Sequence, residues 1–242
     1  MKLNADLGEN YGNWQQDVDA DVMPYIDQAN IACGYHAGDA KTMQATLSLA
    51  KQYGVDIGAH PSYPDLQGFG RRSMSIPRED LVPIIHAQIA TLEGMAKCQG
   101  LHVKYVKPHG ALYNDMMKDT EVFEDIAVAI HEYHTQYPLM IQSLANNDRQ
   151  IEIAEKYNVS LMYEAFADRR YTASGRLQSR QGAGAVLNAQ QTLAQAKALI
   201  DSGTVTTNSG EQIHLKINSL CVHGDNPEAL SVVKKIRMLL SD

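Results

Sequence analysis

His102-Val103-Lys104-Tyr105-Val106-Lys107-Pro108-His109-Gly110-Ala111-Leu112-Tyr113-Asn114 is the stretch on which the fold turns. A short strand-like run ends in a polar residue, a glycine follows, and a helical pattern begins. The same order recurs along the chain. Asp6 follows Leu3-Asn4-Ala5, and His36 follows Ala29-Asn30-Ile31-Ala32-Cys33. His60 follows Val55-Asp56-Ile57-Gly58-Ala59, Glu164 follows Val159-Ser160-Leu161-Met162-Tyr163, and His223 follows Ile217-Asn218-Ser219-Leu220-Cys221-Val222. A β/α barrel builds the site at its C-terminal face in this way. One such position would mean little, but six converging on a single rim are hard to explain by packing.

Strands are expected near 2–6, 28–33, 55–60, 102–107, 139–144, 159–165 and 213–222. Several are apolar throughout, as buried parallel strands are. Helices fill the gaps. Asp39 is placed to cap one that carries Met43, Leu47 and Ala50 inward. Ser75 and Pro77 open a longer one, interrupted by Pro83 and ended by Gly100. Thr120 begins another, and Asn226-Pro227-Glu228 opens the last. Repeated right-handed crossovers close into a barrel or an open sheet, and functional residues scattered over all strand ends favour the barrel. The expectation is therefore one α/β domain over residues 1–242, an irregular seven-stranded (β/α) barrel. Two connections, 61–75 and 167–187, are long for such loops and rich in Gly and Arg, which marks them as functional.

The 242 residues carry 44% hydrophobic and 20% charged side chains and a net charge of −7, which fits a soluble globular chain and argues against a nucleic-acid partner. No apolar run is long enough to span a membrane, no leader pattern precedes the first strand, and Cys33, Cys98 and Cys221 form no CxxC pair. A cytoplasmic address is expected. No phosphate loop, dinucleotide motif or nucleophile elbow occurs.

Asp6 and Glu9 leave one strand end three residues apart, and two such carboxylates can divide into an acid and a base. The plain alternative is helix capping. Imidazole suits proton transfer near neutral pH and, when neutral, metal binding. A single buried histidine is commonly structural, but His36, His60, His109 and His223 all occupy strand ends. His86, His102, His131, His134 and His214 fall on helices or strand interiors and read as ordinary. Lys107 can stabilise developing negative charge, with Glu164 as its partner, or simply be a salt-bridged barrel lysine. Arg169, Arg170, Arg176 and Arg180 in one long loop, with Arg71 and Arg72 in the other, can bind carboxylate or phosphate through two parallel bonds, or form a solvated face, and Arg72, Arg169 and Arg176 are singled out.

Six blocks, LNADLGENYG (3–12), NIACGYHAGD (30–39), GAHPSYPDLQGFGRR (58–72), VKPHGALYN (106–114), EAFADRRY (164–171) and CVHGDNPEAL (221–230), together resemble the LamB/YcsF family. The resemblance spans nearly the whole chain. It implies an irregular barrel similar to the glycoside hydrolase/deacetylase barrels. It also implies one component of a multisubunit ATP-dependent 5-oxoprolinase, which converts 5-oxo-L-proline, ATP and water into L-glutamate, ADP and phosphate. ATP, with Mg²⁺, would be a co-substrate shared with two other subunits. Asp6, Glu9, His36, His60, Lys107, His109, Glu164 and His223 would be the catalytic set. Asn4, Arg72, Arg169, Arg176 and Asp225 would bind substrate or phosphate. Two other readings stay open. One is a metal-dependent amide hydrolase or deacetylase with Asp6 and two of His36, His60 and His109 on Zn²⁺. The other is a non-catalytic lactam-binding subunit.

Overall fold

The computed structural model describes residues 1–15, 18–179, 182, 184–222 and 227–241, with only the backbone described at Pro227 and Ser241. His223, Asp225 and Asn226 lie outside the described residues. Seven strands, β1 (Lys2–Leu7), β2 (Gln28–Ala32), β3 (Asp56–His60), β4 (Val103–Val106), β5 (Leu139–Gln142), β6 (Leu161–Phe166) and β9 (Ser219–Cys221), form a closed barrel in that order. All the pairings are parallel, and β9 joins β6 to β1. The remaining strands, β7 (Thr204–Thr206) and β8 (Gln212–His214), make a separate antiparallel ribbon. That corrects the expected strand 213–222. Its first residues pair with β7, and only Ser219–Cys221 enters the barrel.

The helices follow from local chemistry. Helix α1 is one short turn (Asp19–Val22). Helix α2 (Ala40–Tyr53) begins where the Asp39 side chain accepts from Thr42 N–H and stops at Gly54 in the left-handed conformation. Helix α3 (Arg78–Cys98) has Pro77 just before its first residue and Pro83 in its second turn, early enough to cost few backbone bonds. Helix α4 (Gly110–Lys118) starts directly after His109, and α5 (Thr120–Glu132) is capped by Asp119. Helices α6 (Asp148–Lys156), α7 (Ala189–Ser202) and α8 (Pro227–Ser241) complete the outer layer. Asn188 and Gln191 cap α7 reciprocally. Among the described residues, no helix is long and apolar enough to cross a membrane.

The space between barrel and helices is apolar, with Leu3, Leu47, Ile57, Ile85, Ile89, Phe123 and Ile141 all buried. The barrel interior is polar. Asn4, Gln28, Asn30, Glu164 and Ser219 are each at most 1% exposed. Buried polar groups of this kind persist only when hydrogen-bonded. Asn4 Nδ2 donates to Ser219 Oγ at 2.8 Å, Ser219 Oγ to Gln28 Oε1 at 2.8 Å, and Tyr105 OH to Asn30 Oδ1 at 2.7 Å. Gly58 makes room for the Tyr105 ring, because a Cβ there would stand 2.2 Å from Tyr105 Cε2. The lower barrel is thus a satisfied polar plug, and it supports the mouth above it.

Candidate active site at the barrel mouth

Lys107 leaves β4 into the barrel axis and is 3% exposed. Its Nζ lies 2.9 Å from Asp6 Oδ1 and 2.8 Å from Glu164 Oε1. Burial works against its charge, but the Asp6 and Glu164 carboxylates outweigh that and hold Lys107 protonated well above its ordinary range. Asn30 Nδ2 also donates to Asp6 Oδ1, at 2.8 Å. One oxygen of Asp6 is therefore saturated. The other, Oδ2, faces His60 Nε2 at 3.5 Å, and the side chain keeps 19% of its surface open. Glu164 is fully buried, and its Oε2 accepts from Tyr113 OH at 2.8 Å. Glu164 and Asn4 thus sit one layer below the mouth, inside the barrel.

Above Asp6 three histidines and Glu9 crowd together. The His36 and His109 rings stack, with centroids 3.7 Å apart and planes 3° off parallel. His36 Nε2 lies 3.0 Å from Glu9 Oε1, and His109 Nδ1 lies 3.3 Å from the same oxygen. His60 Nε2 and His109 Nδ1 are 3.0 Å apart. Burial keeps His36 and His109 neutral, pushing their affinity for a proton well below the ordinary histidine value, and burial raises Glu9. One ligand atom from each of Glu9, His36, His60 and His109 lies within 4.8 Å of the others, so these four are the residues able to hold a metal.

The loop after β3 fixes this arrangement. Gly70 (φ +64°) packs so closely that a Cβ there would meet His109 Cδ2 at 2.7 Å, and Gly110 (φ +55°) would likewise meet Gly70 O at 2.5 Å. Phe69 holds a left-handed backbone (φ 54°), a strained state for an aromatic residue, and its carbonyl accepts from His109 Nε2–H at 2.9 Å. The Phe69 ring stands edge-on to His36 and His109 and meets Trp14, which is 48% exposed, at 5.4 Å. Arg71 reaches over the outer side, 5.1 Å from the Phe69 ring centroid. It forms no ion pair among the described residues.

The arginines singled out from sequence make other contacts. Arg72 is committed to the buried Asp65 carboxylate, with Nε donating to Oδ1 at 2.9 Å. Arg169 Nη2 donates to Gln178 O at 2.7 Å inside the 167–187 loop. Arg176 lines a separate cleft with Lys118, Asn146 and Arg149. Arg71, adjacent to Arg72, is near enough for its charge to act on His36 and Glu9. Tyr113, Tyr105, Asn30 and the Phe69 carbonyl are further parts that strand-end reasoning missed. Inward parity on the strands could have found Tyr105 and Asn30, but nothing in the sequence marks the carbonyl. Cys33 and Cys221 are buried thiols, Cys33 pushed up to about 12 by burial, which suits inert packing.

Comparison with known proteins matches this architecture over its length. A protein of Pseudomonas putida, named as a 5-oxoprolinase subunit, is 48% identical over 241 residues, covering 99% of this chain and 93% of its own. The corresponding 5-oxoprolinase subunit of Pseudomonas fluorescens is 46% identical over 243 residues, covering 100% of this chain and 97% of its own. The crystal structure of the lactam utilization protein from Thermus thermophilus superposes with a TM-score of 0.91 at 34% identity, over 100% of this chain and 96% of that one. The LamB/YcsF family model matches residues 1–242, and this chain belongs to that family.

Proposed function

We infer that this chain is the ring-opening subunit of an ATP-dependent 5-oxoprolinase, working in the cytoplasm with two partner subunits. Relatives at 46–48% identity carry the name of a 5-oxoprolinase subunit, which implies a complex. The observation that carries the reading is Asp6. One oxygen is held by Lys107 and Asn30, and the other faces His60 at the mouth.

A five-membered lactam is a poor electrophile. Transfer of the ATP γ-phosphoryl group to its oxygen makes an imidate-like species. Water then attacks the ring carbon, and the carbon–nitrogen bond breaks as the nitrogen takes a proton. A second water releases phosphate from the resulting glutamyl phosphate. The ring opening needs a base for water and an acid for nitrogen. Asp6 is the base: Lys107 holds its Oδ1 at 2.9 Å, and its Oδ2 lies on the His60 side. Asp6 then passes the proton to the ring nitrogen, and His60 lies 3.5 Å from the oxygen that carries it. Arg71 meets the substrate carboxylate or the phosphate through paired bonds. With no phosphate loop in the sequence, the phosphorylation itself, with ATP and Mg²⁺, is assigned largely to the partners.

The test is glutamate formation from 5-oxoproline and ATP, with the chain alone and with its partners. Turnover only in the mixture supports the reading. Robust ATP-coupled turnover by the isolated chain, or none in the complete mixture, would overturn it.

A further inference from the structure

We propose that Glu9, His36, His60 and His109 bind one divalent transition ion, of the zinc class, at the barrel mouth. The positions of the ring protons point to it. His60 Nδ1 is 2.7 Å from Lys107 O, and His109 Nε2 is 2.9 Å from Phe69 O. A carbonyl only accepts, so both of these nitrogens carry hydrogen. In the neutral rings His60 Nε2 and His109 Nδ1 are then both bare lone pairs, yet they face each other at 3.0 Å. Glu9 Oε1 lies 3.3 Å from His109 Nδ1, and Asp6 Oδ2 lies 3.5 Å from His60 Nε2, adding acceptors and no donor when ionised. Such a buried set is repulsive unless a positive centre sits among it.

Two centres qualify, an added proton or a metal ion. The spacing fits a metal, since the four ligand atoms all lie within 4.8 Å of one another. Ligand atoms at about 2.0–2.1 Å from zinc are about 2.9–3.4 Å apart when adjacent on the coordination shell. The contacts His60–His109, His109–Glu9 and Glu9–His36 measure 3.0, 3.3 and 3.0 Å. The groups behind the ligands also fit. Ligating histidines ordinarily give their other N–H to a carbonyl or carboxylate, and His60 and His109 both do. Two carboxylates, Asp6 and Glu164, share the ammonium of Lys107, and Glu9 beside His36 and His109 adds a carboxylate ligand for a cation. The ligand set differs from the one expected from sequence. Glu9 replaces Asp6, whose Oδ1 is taken by Lys107 and Asn30. His36 is the weakest member, because its buried Nδ1 has no hydrogen-bond partner to fix the ring. Binding of the ion does not depend on which amide the protein cleaves.

The experiment measures metal directly in the full chain. Protein stripped with a chelator is titrated with Zn²⁺ by calorimetry and with Co²⁺ by visible absorption. One ion per chain is expected, with imidazole scattering in the X-ray absorption spectrum of the wild-type Zn²⁺ protein. Glu9→Gln and His109→Gln should weaken Zn²⁺ binding by roughly 100-fold or more, whereas His36→Gln weakens it less. His134→Gln, at an exposed histidine, should leave binding unchanged. Absence of Zn²⁺ uptake by the stripped wild type would overturn the proposal and leave a proton-sharing histidine pair. Uptake that survives both Glu9→Gln and His109→Gln, or an absorption spectrum without imidazole, would overturn it equally by placing the ion elsewhere. If a variant fails to fold, the wild-type stoichiometry and spectrum still decide. Failure of the 5-oxoprolinase assay with stoichiometric zinc present would reject the substrate and keep the metal site.

Discussion

The two halves of the barrel are built for different work. Strands β1–β4 end in Asp6, Glu9, His36, His60, Lys107 and His109, gathered within ion-pair or ring contact of one another. Among the described residues, strands β5 and β6 put fewer reactive groups at the mouth, and His223, expected just past β9, lies outside them. Gln142 at the end of β5 donates to Gly175 O at 2.8 Å and so pins the 167–187 loop. That loop closes on itself through the bridges Arg169–Val186 and Tyr171–Leu177, and Arg170 Nε donates to Gly184 O at 2.9 Å. Glu164 reaches the centre only from below, through Lys107. Among the described residues, the first half gathers the ionisable cluster and the second carries backbone contacts of the 167–187 loop. Similar side chains therefore have different consequences according to which half carries them.

The largest expected effect is at Asp6. Asp6→Asn keeps the shape but removes the base, so kcat of the assembled enzyme should fall about 10²–10⁴-fold, the usual worth of general acid–base catalysis. Arg169→Lys and Arg176→Lys in the other half should change it far less. Equal losses in steady-state kinetics would erase the distinction between the halves.

Next is Lys107→Met, which leaves the buried Glu164 and the part-buried Asp6 carboxylates without their shared cation. Removing one partner of a buried ionic set costs about 3–5 kcal/mol, read from chemical denaturation at neutral pH. Because the lysine is held charged above its ordinary range, its contribution should persist through neutral pH and be lost only as pH climbs through the raised value. A wild-type denaturation midpoint for this variant would mean that the centre is not electrostatically clamped.

A smaller effect concerns acid. His36 and His109 are held neutral, while the unfolded chain protonates them near the ordinary histidine value of 6.5. Stability should thus be full above that pH and decline as pH falls below it, by up to about 1.4 kcal/mol per pH unit for each histidine. Glu9, raised by burial, opposes this more weakly. Metal-free protein in which both histidines are changed to glutamine should show a flatter slope between about pH 7 and 5. An unchanged slope would place the acid sensitivity elsewhere.

The smallest effect separates neighbouring arginines. Arg71→Ala should raise the KM for 5-oxoproline or ATP roughly 10-fold, the worth of a charge-assisted hydrogen bond. Arg72→Ala should instead lower the melting temperature by releasing Asp65. The reverse pattern would show that the pair has been assigned the wrong way round.

The barrel is readable in the sequence because buried strands repeatedly run into a polar residue with a glycine or a small residue close by. That signal depends only on order along the chain. It fails at 213–222, where Ile213 and Leu220 look like one strand but belong to different sheets. Depth is also hidden. Glu164 and Asn4 share inward parity with the mouth residues, yet each lies two residues short of its strand's end, Phe166 in β6, or of the mouth residue Asp6 in β1. Register across the barrel turns that offset into a lower layer. In the 61–75 loop no periodicity tells which way a side chain points, so sequence alone does not rank Arg71 above Arg72. The histidine tautomers depend on the carbonyls of Phe69 and Lys107, which no residue pattern encodes.

A single-turnover experiment on the complex assembled with Asp6→Asn tests the central claim most directly, following ADP and glutamate together from 5-oxoproline and ATP. If the β1–β4 mouth opens the activated ring while phosphorylation occurs with the partners, ADP should still form in an initial burst while glutamate lags far behind it. Glutamate appearing at the wild-type rate, in step with ADP, would contradict the account.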